Sequence, residues 1–274
     1  MTTTAPLTVA PSRWSVPYAD TLARVGRFCF AGGLLGFAIG NVMVGDFIVG
    51  RPPAWPAGLP GKTAFAYVSA ALLIVAAVWV ARGARTIWPL VGVSATIAAW
   101  AFLRNVPLAI ADHQFGGAWT NLGKALALSG GTLGVAASLL GGDPSERSSA
   151  RRARLELIGR CALGAFFVMA GIQHFKFAPF VQTLIPAWIP APLFWTYVAG
   201  VALFASGIGL MLPPTKRFAA AFSGLMLLTW VIVLHIPRGL TINNQNEWTA
   251  VIEALTFGGI ALAMVRARSV IGDR

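Results

Sequence analysis

The sequence predicts an all-α integral membrane protein with eight transmembrane helices arranged as two tandem four-helix bundles in parallel repeat, both termini cytoplasmic. Three observations carry this reading. The 274 residues are 57% hydrophobic and only 11% charged, with a mean hydropathy of +0.71, which leaves too little polar surface for a water-soluble globule. Among this much Leu, Val, Ala and Phe, the 30 Gly and 17 Pro read as breaks between membrane helices rather than as a disordered composition. Finally, the chain matches itself at a spacing of about half its length.

A hydrocarbon core of about 30 Å takes roughly 20 apolar residues of helix. The first such run, Phe28 to Gly45, opens after Arg24 and Arg27, and the second, Thr63 to Ala81, lies between Lys62 and Arg82. Ile87 to Leu103 is bounded by Arg85 and Arg104, and Trp119 to Gly142 ends in a Gly pair before Asp143 and Pro144. The remaining runs are Ile158 to Phe177, Pro192 to Leu212, Phe218 to Ile236 and Trp248 to Val265. The organisation is then a cytoplasmic segment 1–22, a first unit 23–142, a basic linker 143–157, a second unit 158–266 and a tail 267–274. Met1 to Asp20 has no basic region followed by an apolar stretch, so no cleaved signal peptide is expected.

The charge balance is 21 Lys and Arg against 9 Asp and Glu, a net +12. A nucleic-acid binder would cluster such residues on a wet face, whereas these punctuate apolar runs, so no nucleic-acid partner is expected. Eight crossings put fifteen of them on the side of the termini: Arg13, Arg24, Arg27, Arg82, Arg85, Arg147, Arg151, Arg152, Arg154, Arg160, Lys216, Arg217, Arg266, Arg268 and Arg274. Six fall on the other side: Arg51, Lys62, Arg104, Lys124, Lys176 and Arg238. The excess of positive residues marks the cytoplasmic face, with the protein expected in the inner (cytoplasmic) membrane. Arg147 to Arg160 then reads as a solvated linker facing lipid headgroups. Cys29 and Cys161 lie in no CxxC pair and read as packing thiols rather than a dithiol relay.

An offset of 133 aligns Gly26-Arg27 with Gly159-Arg160, Ile39 with Ile172, and Pro53-Ala54-Trp55 with Pro186-Ala187-Trp188. An offset of 130 aligns Tyr67-Val68 with Tyr197-Val198, Trp100 with Trp230 and Pro107 with Pro237; an offset of 129 aligns Trp119-Thr120 with Trp248-Thr249. The order is kept and the slips fall in loops, so the chain is two tandem units, related by an axis along the membrane normal because each has an even number of spans. Small residues such as Gly33, Gly36, Gly200, Gly207 and Gly259 allow the helices to approach closely.

The copies differ in chemistry. Asn41 corresponds to His174, Asn105 to His235, and Lys124 to Glu253. The second unit thus carries the candidate catalytic residues His174, His235 and Glu253, all toward the non-cytoplasmic end. Gln173, Trp188, Tyr197, Trp230 and Arg238 lie at similar depth and are the candidate cofactor-binding residues. A carboxylate at this depth must be partnered or protonated, so Glu253 is either paired with a cation or His, or a proton carrier. Against this stands a purely structural reading, in which the histidines cap helix ends, Trp188 and Trp248 anchor at the interface, and Lys124 with Glu253 forms a fixed ion pair between units. A His/His/Glu metal site would need a convergence that helix counting does not show, and no metal is assigned.

The stretch Gly171-Ile172-Gln173-His174-Phe175-Lys176-Phe177-Ala178-Pro179-Phe180, followed by Ile185-Pro186-Ala187-Trp188-Ile189-Pro190-Ala191-Pro192 and Trp195-Thr196-Tyr197-Val198-Ala199-Gly200, resembles the DoxX family of small four-helix membrane proteins. Leu234-His235-Ile236-Pro237 and Trp248-Thr249 through Glu253-Ala254-Leu255 are similar to its third and fourth helices. The resemblance covers about Ile158 to Arg266; the first unit, lacking the His-Phe pair and the His-x-Pro, shares it only through the duplication. It implies a four-helix fold and kinship with the DoxD-type subunit of thiosulfate:quinone oxidoreductases, and makes His174, His235 and Glu253 the positions to test.

Two functions from different classes follow. One is a quinone-linked oxidoreductase or a subunit of one, in which His side chains hydrogen-bond a quinone carbonyl, Glu253 relays a proton and aromatic residues pack the ring. The other is a non-enzymatic accessory protein of a larger membrane complex, or a binder of lipid or another hydrophobic ligand. Partners beyond the bilayer would be a membrane protein or a second copy of the chain. A transporter is disfavoured by the scarcity of charges at mid-span and by the lack of clearly broken helices.

Overall fold

The computed structural model describes residues 16, 18–114, 116–140 and 146–265. The described residues form eight long helices and no strand: α1 Ala19–Val44, α2 Lys62–Ala81, α3 Trp88–Ala111, α4 Gly116–Leu139, α5 Glu146–Lys176, α6 Pro192–Met211, α7 Lys216–Ile242 and α8 Gln245–Ala263. Among them α1 to α7 are long and apolar enough to cross a membrane. Arg13, Arg266, Arg268 and Arg274, and with them part of the charge bias and the terminal segments, lie outside the described residues, as do 141–145 between the units.

α8 departs from the apolar rule for a reason visible in its packing. Every residue from Thr256 to Ala263 is buried, as are Thr249 and Glu253, because α8 is surrounded by α1, α7 and α4. A helix shielded by protein on most sides has no need to be apolar all round. Its counterpart α4 is equally central: 78% of its apolar stretch is buried, against 33–39% for the other six.

The packing order interlocks the two units. α1 packs on α8 and α4 packs on α5, while α4 and α8 also touch one another. The first helix of each unit therefore docks on the fourth helix of the other, so the units share one core instead of forming two self-contained bundles. The same small residues serve both contacts. Gly26 and Gly259 bring α1 and α8 together, and a Cβ on Gly259 would lie 2.8 Å from the Gly26 carbonyl oxygen; Gly159 and Gly134 do so for α5 and α4, where a Cβ on Gly159 would lie 2.6 Å from the Gly134 Cα. Close backbone approach of this kind is how helices adhere where lipid tails provide no hydrophobic drive. Matched residues Ile39 and Ile172, and Phe102 and Ile232, are exposed on the outer surface in both units.

Two features differ from the sequence expectation. α5 begins at Glu146 and runs unbroken for 31 residues, so most of the expected basic linker is helix: its Arg, Ala, Leu and Glu are good helix formers, and charge excludes a segment from lipid, not from helicity. Arg147, Arg151 and Arg154 are exposed there, but Arg160 is buried and donates to the Leu210 carbonyl at the end of α6 (3.0 Å), while Glu156 accepts from Lys216 (2.5 Å). Second, α3 and α7 do not end near Pro107 and Pro237. Each passes through a π-helical turn, Ala101–Asn105 and Val231–His235, and continues as α-helix to Ala111 and Ile242. A proline inside a helix clashes with the preceding turn, and the wider π turn, one residue longer per cycle, absorbs it. The turns occupy the same repeat positions, and each is preceded by Trp100 or Trp230.

Candidate functional site

The longer loops gather where α1, α3, α5 and α7 end, and this loop end holds the polar residues. The first unit is stitched by its two asparagines. Asn41 donates to the Ser69 hydroxyl (3.0 Å) and accepts from the Ile48 backbone (3.0 Å), and Asn105, at the end of its π turn, donates to the carbonyls of Gly50 (3.2 Å) and Arg51 (3.4 Å). These bonds fold segment 45–51 inward, and both Gly50 (φ 74°) and Arg51 (φ 50°) take left-handed backbone conformations. At Gly50 a Cβ would lie 2.6 Å from Ala125 Cβ, so the position needs glycine twice over. Above it Trp55, Phe65 and Trp100 stack at centroid distances of 4.5–5.8 Å, with Phe47 edge-on.

The inward fold delivers Arg51 to Glu253. Its Nε donates to both carboxylate oxygens (3.0 Å each), and the Lys124 ammonium donates to Oε2 from α4 (2.7 Å). Glu253 is 3% exposed. The guanidinium also donates to the Asn246 side-chain oxygen and to its carbonyl (3.1 Å). Lys124 and Glu253 are equivalent positions of the two repeats, and they meet because α4 and α8 lie together at the centre. In two identical units this position would face itself and like charges would repel, so the pair requires the halves to have diverged.

Of the other residues singled out in the sequence, His235 lies within electrostatic reach of this triad. It ends the α7 π turn, with Glu247 and Arg238 also in reach, and among the described residues its imidazole makes no hydrogen bond. Arg238 forms a two-pronged pair with Glu247 (3.0 and 2.8 Å) and donates to the Leu184 carbonyl (3.3 Å), tying α7, α8 and the segment between α5 and α6 together. That guanidinium holds the Glu247 carboxyl, ahead of the apolar part of α8, below its usual value.

His174 stands apart: its Nδ1 is bonded within α5 to the Ala170 carbonyl (2.7 Å) and its Cβ packs on Gly200 of α6. Gln173 accepts from Thr120 (2.9 Å) and staples α5 to α4. Tyr197 stacks on Phe175 (5.4 Å), Trp188 is exposed, and Trp230 packs against the core just before the π turn. Thus His235 and Glu253 converge, His174 does not, and Arg51 is the residue that sequence reasoning missed. Its signal was weak: one of six minority cations, wedged between Gly50 and Pro52-Pro53. Among the described residues no three His, Cys, Asp or Glu side chains gather as a metal site would need. Cys29 and Cys161 are free.

Beside the triad a cleft of about 560 Å³ opens between segment 44–54 and the start of α8, lined by Arg51, Asn121, Asn244, Gln245, Asn246 and Thr249 on its polar side. A family model described as a domain of unknown function (DUF8561) matches residues 163–266. That stretch includes His174, His235 and Glu253 and excludes both cations that hold Glu253. No curated protein and no solved structure matches the chain.

Proposed function

We propose that the chain is a DoxX-like protein of the inner membrane, crossing it eight times with both termini cytoplasmic, and that it binds a quinone-class ligand at the loop end of its second unit. His235 carries the reading. It is an imidazole with no hydrogen bond of its own beside a charged cluster, and a neutral imidazole can donate to or accept from a carbonyl or hydroxyl head. The aromatic faces of Trp188, Tyr197 and Trp230 lie on the same unit, toward the same end, and suit a planar ring. When bound, such a ligand would supply two-electron redox chemistry. The chain's part is to hold the head and to move a proton at His235. Glu253, clamped between two cations, suits the role of fixing charge near the head better than that of a proton relay.

The test is native mass spectrometry of the nanodisc-embedded protein with titration of a short-chain quinone. Retention or binding that weakens at least tenfold in His235→Ala supports the reading. A protein that neither retains nor binds quinone, or that binds equally well with His235 and His174 both replaced by Ala, ends it.

The saturation of Glu253 favours one second reading, an accessory protein whose triad is a structural clamp. It would co-purify with a larger membrane assembly whose function is indifferent to His235→Ala.

A further inference from the structure

The cluster beneath the cleft is one negative charge short. Arg51 and Lys124 both press on the single carboxylate of Glu253, and the side chains of both cations are 19% exposed. The neighbouring groups do not correct the imbalance. Asp46, also in the cleft wall, accepts from its own neighbour Phe47 (2.7 Å) and faces Lys62 at 3.5 Å. Glu247 is matched by Arg238, and Arg104 is turned onto the carbonyls of Ala54 and Pro53 at the cleft rim. Largely buried charge without a counter-charge is costly near a bilayer. Arg51 spends part of its five N–H donors on Glu253 and Asn246, and Lys124 spends one of three on Glu253, so both retain donors.

We infer that the cleft is a binding site for a phosphate-bearing ligand, whose phosphate meets Arg51 in the cleft wall and so supplies the charge missing from the Arg51–Lys124–Glu253 cluster. The chemistry fits at three points. The Arg51 guanidinium lines the cleft with N–H donors to spare, and such a fork suits a multi-oxygen anion. The side-chain amides of Asn121, Asn244, Gln245 and Asn246 line the walls as further donors. Val44, Phe47, Ile48, Pro52 and Pro53 add apolar surface to the wall that also holds Asp46, so an acyl or other hydrophobic portion is accommodated beside the head. The site is distinct from the quinone site proposed at His235, which lies outside this lining, and neither depends on the other. The phosphate can belong to an anionic phospholipid or to a free phosphate compound.

Two variants separate this from a plain ion pair. Lys124→Gln removes the surplus charge while leaving Glu253 its Arg51 partner, and Asn121→Leu obstructs the cleft without touching the triad. Delipidated protein is titrated with inorganic phosphate against chloride at matched ionic strength, following thermal stability. In parallel, protein released from nanodiscs of phosphatidylcholine, with or without phosphatidic acid, is weighed by native mass spectrometry. The expectation is a phosphate-specific stabilisation, a retained phosphatidic acid, or both, each weakened at least tenfold in both variants. Response to phosphate alone identifies a free phosphate compound as the source; retention of phosphatidic acid alone identifies a headgroup. The inference is overturned if neither probe binds the wild type, or if binding survives unchanged in Lys124→Gln. Should Lys124→Gln fail to fold, undiminished binding by Asn121→Leu overturns it equally.

Discussion

Removing Glu253 and removing Lys124 break the same 2.7 Å contact, yet their costs should be far from equal. At an effective dielectric constant of about 20, each of the two cation–carboxylate contacts is worth roughly 6 kcal/mol before desolvation. The two cations touch the same carboxylate oxygen and so lie within about 6 Å of each other, where they repel by about 3 kcal/mol on the same scale. Lys124→Gln loses one attraction but relieves that repulsion and the desolvation of a largely buried ammonium, so the net cost should be about 1 kcal/mol or less. Glu253→Gln loses both attractions and leaves two cations facing each other, which places it with broken buried pairs at about 3–5 kcal/mol. The assay is equilibrium unfolding in mixed micelles, checked by thermal melting, where the glutamine at 253 should lower the midpoint by roughly 10 °C and the one at 124 by a few degrees. Equal losses, or a milder effect at 253, would refute the view that one carboxylate serves both cations.

Three further outcomes are expected. Gly159→Val drives a branched side chain against the Gly134 backbone, and the α4–α5 contact should open at a cost of about 1–3 kcal/mol or more, read as a lower melting point and a poorer yield of folded protein. Asn105→Ala leaves the Gly50 and Arg51 carbonyls without their donor, about 1–3 kcal/mol, and should expose segment 45–61 to limited proteolysis while the helices stay protected. For Glu247 the sign is set by its lowered value beside Arg238. Its contribution is fully present above the ordinary glutamate value of about 4.3 and is lost as pH falls through the lower folded-state value. Melting points measured from neutral pH downward should therefore fall more gently on the acid side in Arg238→Met than in the wild type; identical acid limbs would count against the pair.

What the sequence disclosed and what it withheld divide along physical lines. Apolar runs reveal lipid-facing helices because lipid imposes the pattern, and α1 to α7 match the expected spans. The two halves carry Trp, Tyr and Pro in matched order, and the charge reversal between them, Lys124 against Glu253, marked two residues that do meet. Helix ends were less legible. A proline ends most helices, so the π turns that carry α3 past Pro107 and α7 past Pro237 left no signature beyond the repeated Trp and Pro. Arg51 was hidden because its role depends on two consecutive left-handed residues folding a loop inward, a property of the backbone path that composition does not encode. His174 and His235 looked equivalent by depth alone, but His174 packs on α6 at Gly200, whereas His235 sits on α7, which packs against the helix carrying Glu253.

The exchange of partners between the units also sets a schedule for synthesis. α1 leaves the ribosome long before its main partner, α8. Until α8 arrives, Gly26 and its neighbours on α1 lack the surface they fit, and Lys124 and Arg51 have no carboxylate to meet. Seven helices are therefore placed around an unfilled gap, and α8 closes the packing and brings the cluster its carboxylate in the same event. A chain truncated before α8 would leave this protein as an open ring with two stranded cations, a natural substrate for membrane quality control.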